Sequence, residues 1–383
     1  MIRTMERMLK TKEALDGAAG VGQPKYRIIS ESLKQAILSN EYPLGSRLPS
    51  ENELVRRFGV SRMTIVKALK ELQQLDLVGR RAGSGTYVKG RAPESGGIFG
   101  LLIPELGRTE IFEPICQGMT SFPQTSRHSL LWGNAVGPDR PREEAAVELC
   151  QHYIDQRVSG IFFAPLELLP EKDEVNQQIV SALDAARIPV VLLDRDYLPY
   201  PARSKYDLVG IDNRRTAYGA VAHLIDVGAR KIAFLGKRLS ASTVDARIAG
   251  YREALLARDS GYDESLILRC DPSDEQQIGR FLKAKHPDAF LCANDHTAAN
   301  LMQSLIKLGV SIPQEVRVVG IDDVKYASLL PIPLTTQHQP CFDIGRVAMS
   351  TMLDRLERPD LPTRDVLLSC TLVVRESCGS NRK

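Results

Sequence analysis

The sequence lacks several features that would assign it to common classes of protein. Its seven cysteines include no C-x-x-C pair and no metal-ligand spacing, which predicts reduced thiols in a cytoplasmic protein without a metal site. No apolar run approaches the ~20 residues that a membrane helix needs. The first 22 residues lack the apolar segment of a secretory signal, so we interpret residues 1–22 as a disordered lead-in and expect no membrane partner.

The motifs of nucleotide-dependent enzymes are also missing. Neither G-x-G-x-x-G nor G-x-x-x-x-G-K-[ST] lies between a predicted strand and a helix, and no Ser/His/Asp or Cys/His set stands out. We therefore expect a protein that is not an enzyme and that holds no cofactor. Bound-cofactor absorbance in the purified protein would favour the enzyme alternative instead.

Charge is unevenly distributed along the chain. The net charge is only +3, but residues 23–91 carry 13 Lys and Arg against 6 Asp and Glu, whereas residues from 92 onward carry 33 against 38. A basic module on a mildly acidic body is typical of a protein that binds nucleic acid at one end.

The basic module contains a predicted helix-turn-helix in residues 49–75. Ser50 and Glu53 have the spacing of a capping box, which predicts a helix start at this point. Gly59 then supplies the turn, and a second helix is predicted from Ser61. Its core stripe consists of Ile65, Ala68, Leu69, Leu72 and Leu75. A helix in this position enters the major groove with its first turn, so Arg62, Thr64 and Lys67 are candidate DNA contacts.

A basic hairpin follows the second helix. Residues 77–81 and 86–89 alternate like strands around a glycine-rich turn, and the glycines allow the backbone to approach phosphates. Arg80 and Arg81 supply positive charge, with Lys89 as a further phosphate contact. The alternative is a small capped helical domain with surface lysines, but the capping box, glycine turn and basic hairpin together favour DNA binding.

Several segments resemble the GntR family of winged-helix regulators. They are residues 48–51 (LPSE), 59–62 (GVSR), 68–69 (AL) and 83–88 (GSGTYV). The resemblance implies double-stranded operator DNA as a partner and DNA contacts from Ser61, Arg62, Thr64, Gly83 and Gly85, and we add Ser50 to these candidates. The sequence departs from the family at Val66, where the usual residue is Arg. Either Lys67 or an apolar contact between Val66 and a thymine methyl would replace that arginine.

Residues 98–377 follow a different pattern, in which short apolar runs alternate with amphipathic stretches. The runs are residues 98–103, 129–132, 160–164, 189–193, 208–211, 231–235, 289–292 and 316–319. Buried strands that alternate with helices indicate a parallel doubly wound α/β sheet. The length favours two Rossmann-like lobes with a ligand cleft between them. We therefore expect a winged helix-turn-helix domain over 23–90, a linker over 91–97 and an effector-binding and dimerisation domain over 98–377.

Polar residues follow several of these predicted strands. Asp194, Asn294 and Asp322 each come after an apolar run, and Arg247 lies within a predicted helix. Each of the three could simply cap the next helix. As a converging set, an arginine, an amide and two carboxylates suit the binding of vicinal hydroxyls.

This half resembles the LacI/GalR type of effector domain, which is similar to periplasmic sugar-binding proteins. The matching segments are residues 245–251 (DARIAGY), 292–295 (CAND), 318–323 (VVGIDD) and 333–336 (PLTT). The resemblance implies effector contacts from Asp194, Arg247, Asn294, Asp322 and Gln339. In the first ligand loop, Glu105 and Phe112 are weaker candidates, with Phe112 as a stacking face for a sugar ring. The glycine- and proline-rich linker leaves no room for a LacI-type hinge helix.

The two resemblances together imply a ligand-switched, homodimeric transcription factor, most simply a repressor. A sugar-sensing activator and a solute-binding protein remain alternatives, although the latter would need export. The effector is expected to be a pentose or hexose. Purines and phosphorylated sugars remain alternatives because similar domains accept them, and the basic residues Arg195 and Lys237-Arg238 near strand ends would suit a phosphate.

Overall fold

A computed structural model describes the two parts of the chain. The described residues are 24–38, 41–42, 45–74, 77–81, 85–88, 97–103, 110–122, 125, 128–133 and 141–380. The chain divides into two compact units, Met1–Gly96 and Gly97–Lys383.

The first unit contains a three-helix domain with a hairpin. Its elements are α1 (Lys25–Leu38), α2 (Glu51–Phe58), α3 (Arg62–Gln74), β1 (Val78–Arg81) and β2 (Gly85–Val88). The strands pair antiparallel, with Val78 opposite Val88. Leu75 of the predicted stripe lies outside the described residues. The other four stripe residues are buried, with Ile65, Ala68 and Leu72 each 0% exposed and Leu69 6% exposed. They pack with residues of α1 and α2 in one core.

The local signals of the helix-turn-helix are present as predicted. Ser50 accepts a hydrogen bond from the Glu53 backbone N–H, and the Glu53 carboxylate accepts one from the Ser50 backbone N–H at 2.7 Å, which is a complete capping box. Gly59 ends α2 with φ 64°, in the left-handed region that favours glycine. The second helix begins at Arg62, and Ser61 caps it through the Thr64 N–H.

The second unit consists of two α/β lobes. Its elements, in chain order, are β3 (Ile98–Leu102), α4 (Phe112–Ser121), β4 (Ser129–Trp132), α5 (Arg142–Asp155), β5 (Gly160–Phe163), α6 (Lys172–Ala185), β6 (Val190–Leu193), β7 (Asp207–Ile211), α7 (Asn213–Asp226), β8 (Ile232–Gly236), α8 (Ser242–Ala257), β9 (Ile267–Arg269), α9 (Glu275–Lys285), β10 (Ala289–Cys292), α10 (Asp295–Lys307), β11 (Arg317–Asp322), β12 (Thr335–His338), α11 (Cys341–Glu357), β13 (Asp365–Leu368) and β14 (Thr371–Val373). Three short 3₁₀ segments, Glu264–Leu266, Lys325–Ser328 and Glu376–Cys378, complete it.

Each lobe is built on one six-stranded sheet. The first-lobe sheet has the order β13-β7-β6-β5-β3-β4, and the second-lobe sheet has the order β14-β12-β11-β10-β8-β9. All pairs are parallel except β12 with β14. Apolar clusters cover both faces of each sheet, which explains why the strands are continuous apolar runs. The predicted pair of doubly wound lobes is confirmed.

The chain crosses between the lobes after β7, between β12 and α11, and between β13 and β14. Four strands, β9, β12, β13 and β14, are absent from the eight predicted apolar runs. They are short, and three of them are only partly buried, so their sequences carry little apolar periodicity. The crossings place strand ends of both lobes beside one cleft.

Candidate functional site

In the first unit, the Glu51 carboxylate joins two of the candidate DNA contacts. Its Oε2 accepts a hydrogen bond from Arg62 Nε at 3.0 Å, and its Oε1 accepts one from Arg80 NH2 at 2.7 Å. The two arginine side chains remain 71% and 61% exposed, whereas that of Glu51 is 16% exposed. One guanidinium group from the first turn of α3 and one from the first strand of the hairpin are therefore held side by side by the Glu51 carboxylate.

The hydroxyl candidates serve as helix caps. Ser61 Oγ lies 2.8 Å from Thr64 Oγ1, and Ser50 Oγ lies 2.7 Å from a Glu53 carboxylate oxygen. Both serines are at helix N-termini, where a phosphate can be held by backbone N–H groups and the positive end of the helix dipole. Their proposed contacts with DNA remain predictions.

The remaining candidates for DNA contact are Lys67, Arg81 and the hairpin glycines Gly83 and Gly85. The Lys67 ammonium lies 4.3 Å from the centre of the Tyr26 ring, which holds it against α1. Gly85 has φ 113°, a backbone conformation that side chains rarely adopt, and an added Cβ would lie 2.7 Å from Arg47 Nε and displace that side chain. Arg47 pairs with Tyr87 of the hairpin and was missed by the sequence reasoning, in which its only signal was its position beside Leu48-Pro49. Gly83 and the side chain of Arg81 lie outside the described residues.

In the second unit, Asp322 and Gln339 meet at the ends of adjacent strands. Gln339 Nε2 donates a hydrogen bond to Asp322 Oδ1 at 2.5 Å. Burial raises the pKa of the Asp322 carboxyl well above its ordinary value, and Arg247 opposes that rise while Asp194 and Asp295 add to it. The predicted ligand residues Asp194, Arg247 and Asp322 are therefore close enough to interact electrostatically.

Gln339 also carries an acceptor that has no partner among the described residues. Its side chain is 2% exposed, and its Oε1 makes no hydrogen bond. A buried acceptor without a donor is costly, and a ligand hydroxyl at this position would satisfy it. Asp322 and Gln339 line a cavity of about 370 Å³, together with residues of both lobes such as Glu110, Glu113 and Lys325.

Arg247 is held in a fixed orientation from helix α8. Its Nε donates to Asn213 Oδ1 at 2.7 Å, and its NH1 donates to the Ala293 carbonyl. The residue is 5% exposed, so its charge is available only inside the protein. Asn294, the next residue after Ala293, caps α10 by accepting from the Thr297 N–H at 2.8 Å. The capping alternative is therefore present for Asn294, and its ligand contact remains a prediction.

Asp194 ends β6 in the left-handed region, with φ 68°. Its Oδ2 lies 2.9 Å from Arg195 NH1 in a buried ion pair. A carboxylate that already has a cationic neighbour still has lone pairs for ligand hydroxyls.

Phe112 requires a correction. The prediction made it a stacking face for a sugar ring, but it is 2% exposed and packs in the core of the first lobe. The Arg195 guanidinium lies 5.9 Å from its ring centre. Phe112 begins α4 on the side that faces the sheet. Its apolar ring is buried there because removing apolar surface from water is favourable. The other first-lobe candidate, Glu105, lies outside the described residues.

Two carboxylates that the sequence reasoning left out, one buried and one half-buried, organise the loop after β11. Asp295, 0% exposed, accepts from Thr336 Oγ1 at 2.6 Å and from the Val324 N–H at 3.1 Å. Asp323 is held by Arg375 NH2 at 2.6 Å. Burial raises the pKa of Asp295 to about 6. In the sequence, Asp295 was marked only by its position after Asn294, and Asp323 only by its position after Asp322.

Metal-binding clusters and membrane-spanning helices are absent from the described part of the chain. No group of three or more His, Cys, Asp or Glu side chains there is arranged to hold a metal ion. Nor does any described helix have the length and apolarity to cross a membrane. The seven cysteines are free thiols.

Comparison with known proteins assigns both units. Residues 25–88 match the bacterial regulatory proteins of the gntR family, and residues 221–378 match the periplasmic binding protein-like domain. The arabinose metabolism transcriptional repressor of Geobacillus stearothermophilus is 26% identical over 369 residues, which cover 92% of this chain and 97% of that protein. The HTH-type transcriptional repressor PurR of Vibrio atlanticus (strain LGP32) is 29% identical over 254 residues, covering 65% of this chain and 72% of the relative.

A solved structure supports the same assignment. The transcriptional regulator CelR–cellobiose complex is 25% identical, with a TM-score of 0.63, and the match covers 83% of this chain and 91% of that one. The chain is therefore a transcriptional regulator that joins a DNA-binding domain of the GntR family to a periplasmic-binding-protein-like domain.

Proposed function

We propose that this regulator is a cytoplasmic, homodimeric repressor whose operator affinity is switched by a small neutral polyol, a sugar or a sugar derivative. The observation that carries the proposal is the unpartnered Gln339 Oε1 beside the Asp322 carboxyl in the cavity. Both groups accept hydrogen bonds, and a polyol supplies several donors on one small molecule.

The charges around the cavity support a neutral ligand over an anionic one. The acidic residues Glu110, Glu113, Asp323 and Asp343 line it beside Asp322, against the basic residues Lys325 and His338. A phosphate or carboxylate group placed there would meet like charges at short range. One relative is named for arabinose metabolism, and a similar solved structure is a complex with cellobiose. Both support a sugar as the ligand.

The DNA-binding step uses the exposed guanidinium groups of Arg62 and Arg80. Two copies of the basic domain in a homodimer would read a pseudo-palindromic operator, because the two-fold symmetry of the protein matches that of the site. Ligand-driven closure of the lobes would change the placement of the two domains. A coupling free energy of ~1 to 3 kcal/mol is enough for a roughly 5- to 150-fold change in operator affinity.

No catalytic step is proposed. The polar groups that line the cavity are carboxyl groups, the Gln339 amide, Lys325 and His338, which are sufficient for recognition. Bound-cofactor absorbance or turnover of a ligand during titration would contradict this part of the proposal.

The ligand is tested by thermal shift against L-arabinose, D-ribose, cellobiose, sugar phosphates, sugar acids and nucleobases. A ligand at 100 times its dissociation constant adds ~2.7 kcal/mol to native stability and raises the unfolding midpoint. We expect a neutral sugar to act and the Gln339→Met variant to lose most of that shift. A shift from phosphates or acids alone would overturn the proposed ligand class.

The DNA step is tested after selection of an operator from random duplexes. Arg62→Ala should weaken specific binding by about ten- to a hundredfold, since a good base contact contributes ~1 to 3 kcal/mol. The control is Arg280→Ala, an exposed arginine of the second unit. Equal affinities for the two variants would remove Arg62 from the DNA interface.

A further inference from the structure

A cluster of direct hydrogen bonds joins the two lobes on one side of the second unit. The Leu168 N–H of the first lobe donates to the Leu239 carbonyl of the second lobe at 2.9 Å. In the other direction, the Ala241 N–H donates to Glu167 Oε2 at 3.0 Å, and Ser242 Oγ donates to the Asp196 carbonyl at 3.3 Å. We refer to these six residues, 167, 168, 196, 239, 241 and 242, as the interlobe clasp.

Glu167 contributes a charged side chain to the clasp hydrogen bonds, whereas Asp196 contributes its backbone carbonyl. The second carboxylate oxygen of Glu167, Oε1, lies 3.0 Å from Arg195 NH1. Burial by itself would raise the pKa of Glu167, but the Arg195 charge and the Ala241 N–H outweigh it and lower that pKa. The carboxylate is therefore stabilised in its charged form, in which it is the stronger acceptor for an N–H of the opposite lobe.

Arg195 connects the clasp to the ligand residues. The same NH1 atom that contacts Glu167 lies 2.9 Å from Asp194 Oδ2, and Arg195 Nε donates to the Pro165 carbonyl at 2.8 Å. The guanidinium is 8% exposed, so it has no water shell to compensate for a lost partner. Any change at Asp194 therefore changes how strongly Arg195 holds Glu167.

The backbone at this place is also unusual. Leu168, Leu239 and Asp194 have φ values of 61°, 58° and 68°, in the left-handed region that non-glycine residues rarely adopt. Leu168 and Leu239 are the two partners of one interlobe hydrogen bond. Such conformations persist only where surrounding contacts hold them, so separation of the lobes would release strain at both residues.

We propose that Glu167 and Arg195 are positioning residues that couple the occupancy of Asp194 by ligand to closure of the two lobes. The inference rests on the proposed function and on the sequence-based prediction that Asp194 contacts the ligand. Ligand hydroxyls that donate to Asp194 weaken its hold on Arg195. Arg195 then pairs more fully with Glu167, which fixes the orientation of that carboxylate toward the Ala241 N–H and favours the closed arrangement.

Hydrogen exchange of the full-length protein without ligand or DNA tests this coupling. The readout is the exchange rate of the second-lobe segment 237–242, measured by mass spectrometry. Glu167→Ala should raise that rate about tenfold, because the Ala241 N–H loses its acceptor. Glu167→Gln should raise it less, since the amide oxygen can still accept. The matched control is Glu174→Gln, an exposed glutamate on α6, which should leave the rate unchanged.

Asp194→Asn tests the connection to the ligand site. Removal of the negative charge at residue 194 should allow Arg195 to pair more fully with Glu167. Hydrogen exchange in the segment 237–242 should then slow by about two- to fivefold. Unchanged exchange in this variant would overturn the coupling, even if the clasp itself exists.

Two further outcomes decide whether the clasp exists. Unchanged exchange in 237–242 for both Glu167 variants would overturn it. Loss of protection in β10 would show that Glu167→Ala perturbs the whole lobe. Exchange of the segment 237–242 in the isosteric Glu167→Gln variant and in Ser242→Ala would then decide whether the clasp exists. These exchange measurements use the protein without ligand or DNA. A result that overturns the clasp therefore does not contradict the proposed function, which the ligand and operator binding tests decide.

Discussion

The Glu51 carboxylate at the start of α2 accepts a hydrogen bond from Arg62 Nε at 3.0 Å across the turn of the helix-turn-helix. The two residues are 11 positions apart, and the pair fixes the direction of a side chain that is otherwise 71% exposed. This orienting role explains an acidic residue in the surface that we propose binds DNA, since its charge alone would repel phosphates.

Glu51→Gln should therefore reduce discrimination between DNA sequences. We expect affinity for the selected operator to fall about fivefold, equivalent to about 1 kcal/mol, because Arg62 and Arg80 lose their shared anchor. Affinity for a scrambled duplex should hold or rise, because one negative charge is removed. Titration of both duplexes at one salt concentration measures this, with Glu31→Gln on the outer face of α1 as control. An equal fall for both duplexes would contradict the orienting role.

Arg247→Met should destabilise the second unit as well as remove the ligand response. The change leaves Asn213 Oδ1 and the Ala293 carbonyl without a buried donor, and it removes the cation beside Asp322. Loss of one member of such a buried set costs about 3 kcal/mol. Urea unfolding measures it, and Arg258→Met, which breaks an exposed pair with Asp226, should cost less than about 1 kcal/mol. Similar costs for the two variants would argue against a buried role for Arg247.

Asp295→Asn should change how stability depends on pH. The folded-state pKa of Asp295 is raised from its ordinary 3.8 to about 6, so the folded protein binds more protons than the unfolded chain between these values. Its contribution to stability is thus fully present below pH 4 and is lost as the pH rises through 6, by about 3 kcal/mol.

The neutral asparagine removes this dependence. The difference in unfolding free energy, variant minus wild type, should grow by about 2 to 3 kcal/mol from pH 4 to pH 7.5, whatever constant offset the altered hydrogen bonds add. Chemical denaturation across this range measures the difference, with the exposed Asp343→Asn as control. A difference that stays flat with pH would show that burial does not control this carboxyl.

Gly345→Ala should force α4 and α11 apart. An added Cβ would lie 1.9 Å from the Ile115 carbonyl oxygen, and on the facing helix a Cβ at Gly118 would lie 1.9 Å from the Phe342 carbonyl oxygen. Because the clash is with backbone, relief requires a helix shift, and we expect a loss of about 3 kcal/mol or more. Gly219→Ala on α7 is the matched control, since its Cβ meets only Gln337 Nε2 at 3.4 Å and alanine favours helix. Equal unfolding midpoints for the two variants would contradict the close crossing.

Much of the fold was predictable because its signals are local. The capping box of Ser50 and Glu53, the left-handed Gly59 and the buried stripe of α3 each depend on residues within a few positions of one another. The eight apolar runs are likewise local, since strands buried on both faces need continuous apolar sequence. Strands such as β12, with the sequence TTQH, lack that signal and depend on their neighbours.

The candidate site was predictable only in part. Asp194 follows a strand of the first-lobe sheet and Asp322 ends a strand of the second-lobe sheet, and these strand ends lie near Arg247 of α8, as the strand pattern implies. Phe112 was expected in the cleft only from the resemblance of its loop to the family's first ligand loop, and the structure instead buries it in the core. Sequence spacing does not show which side of a short helix faces the sheet.

The sequence by itself determined the two domain types, the order of the main strands and helices, and which residue types stand at the strand ends, because these depend on short-range backbone and apolar patterns. Only the tertiary structure decided the partners of the charged groups. Glu51 meets Arg80 across 29 positions, and the Glu167 carboxylate meets the Ala241 N–H across 74. Such pairings arise from packing of distant segments, and the burial that sets the strength of each charge exists only in the folded chain.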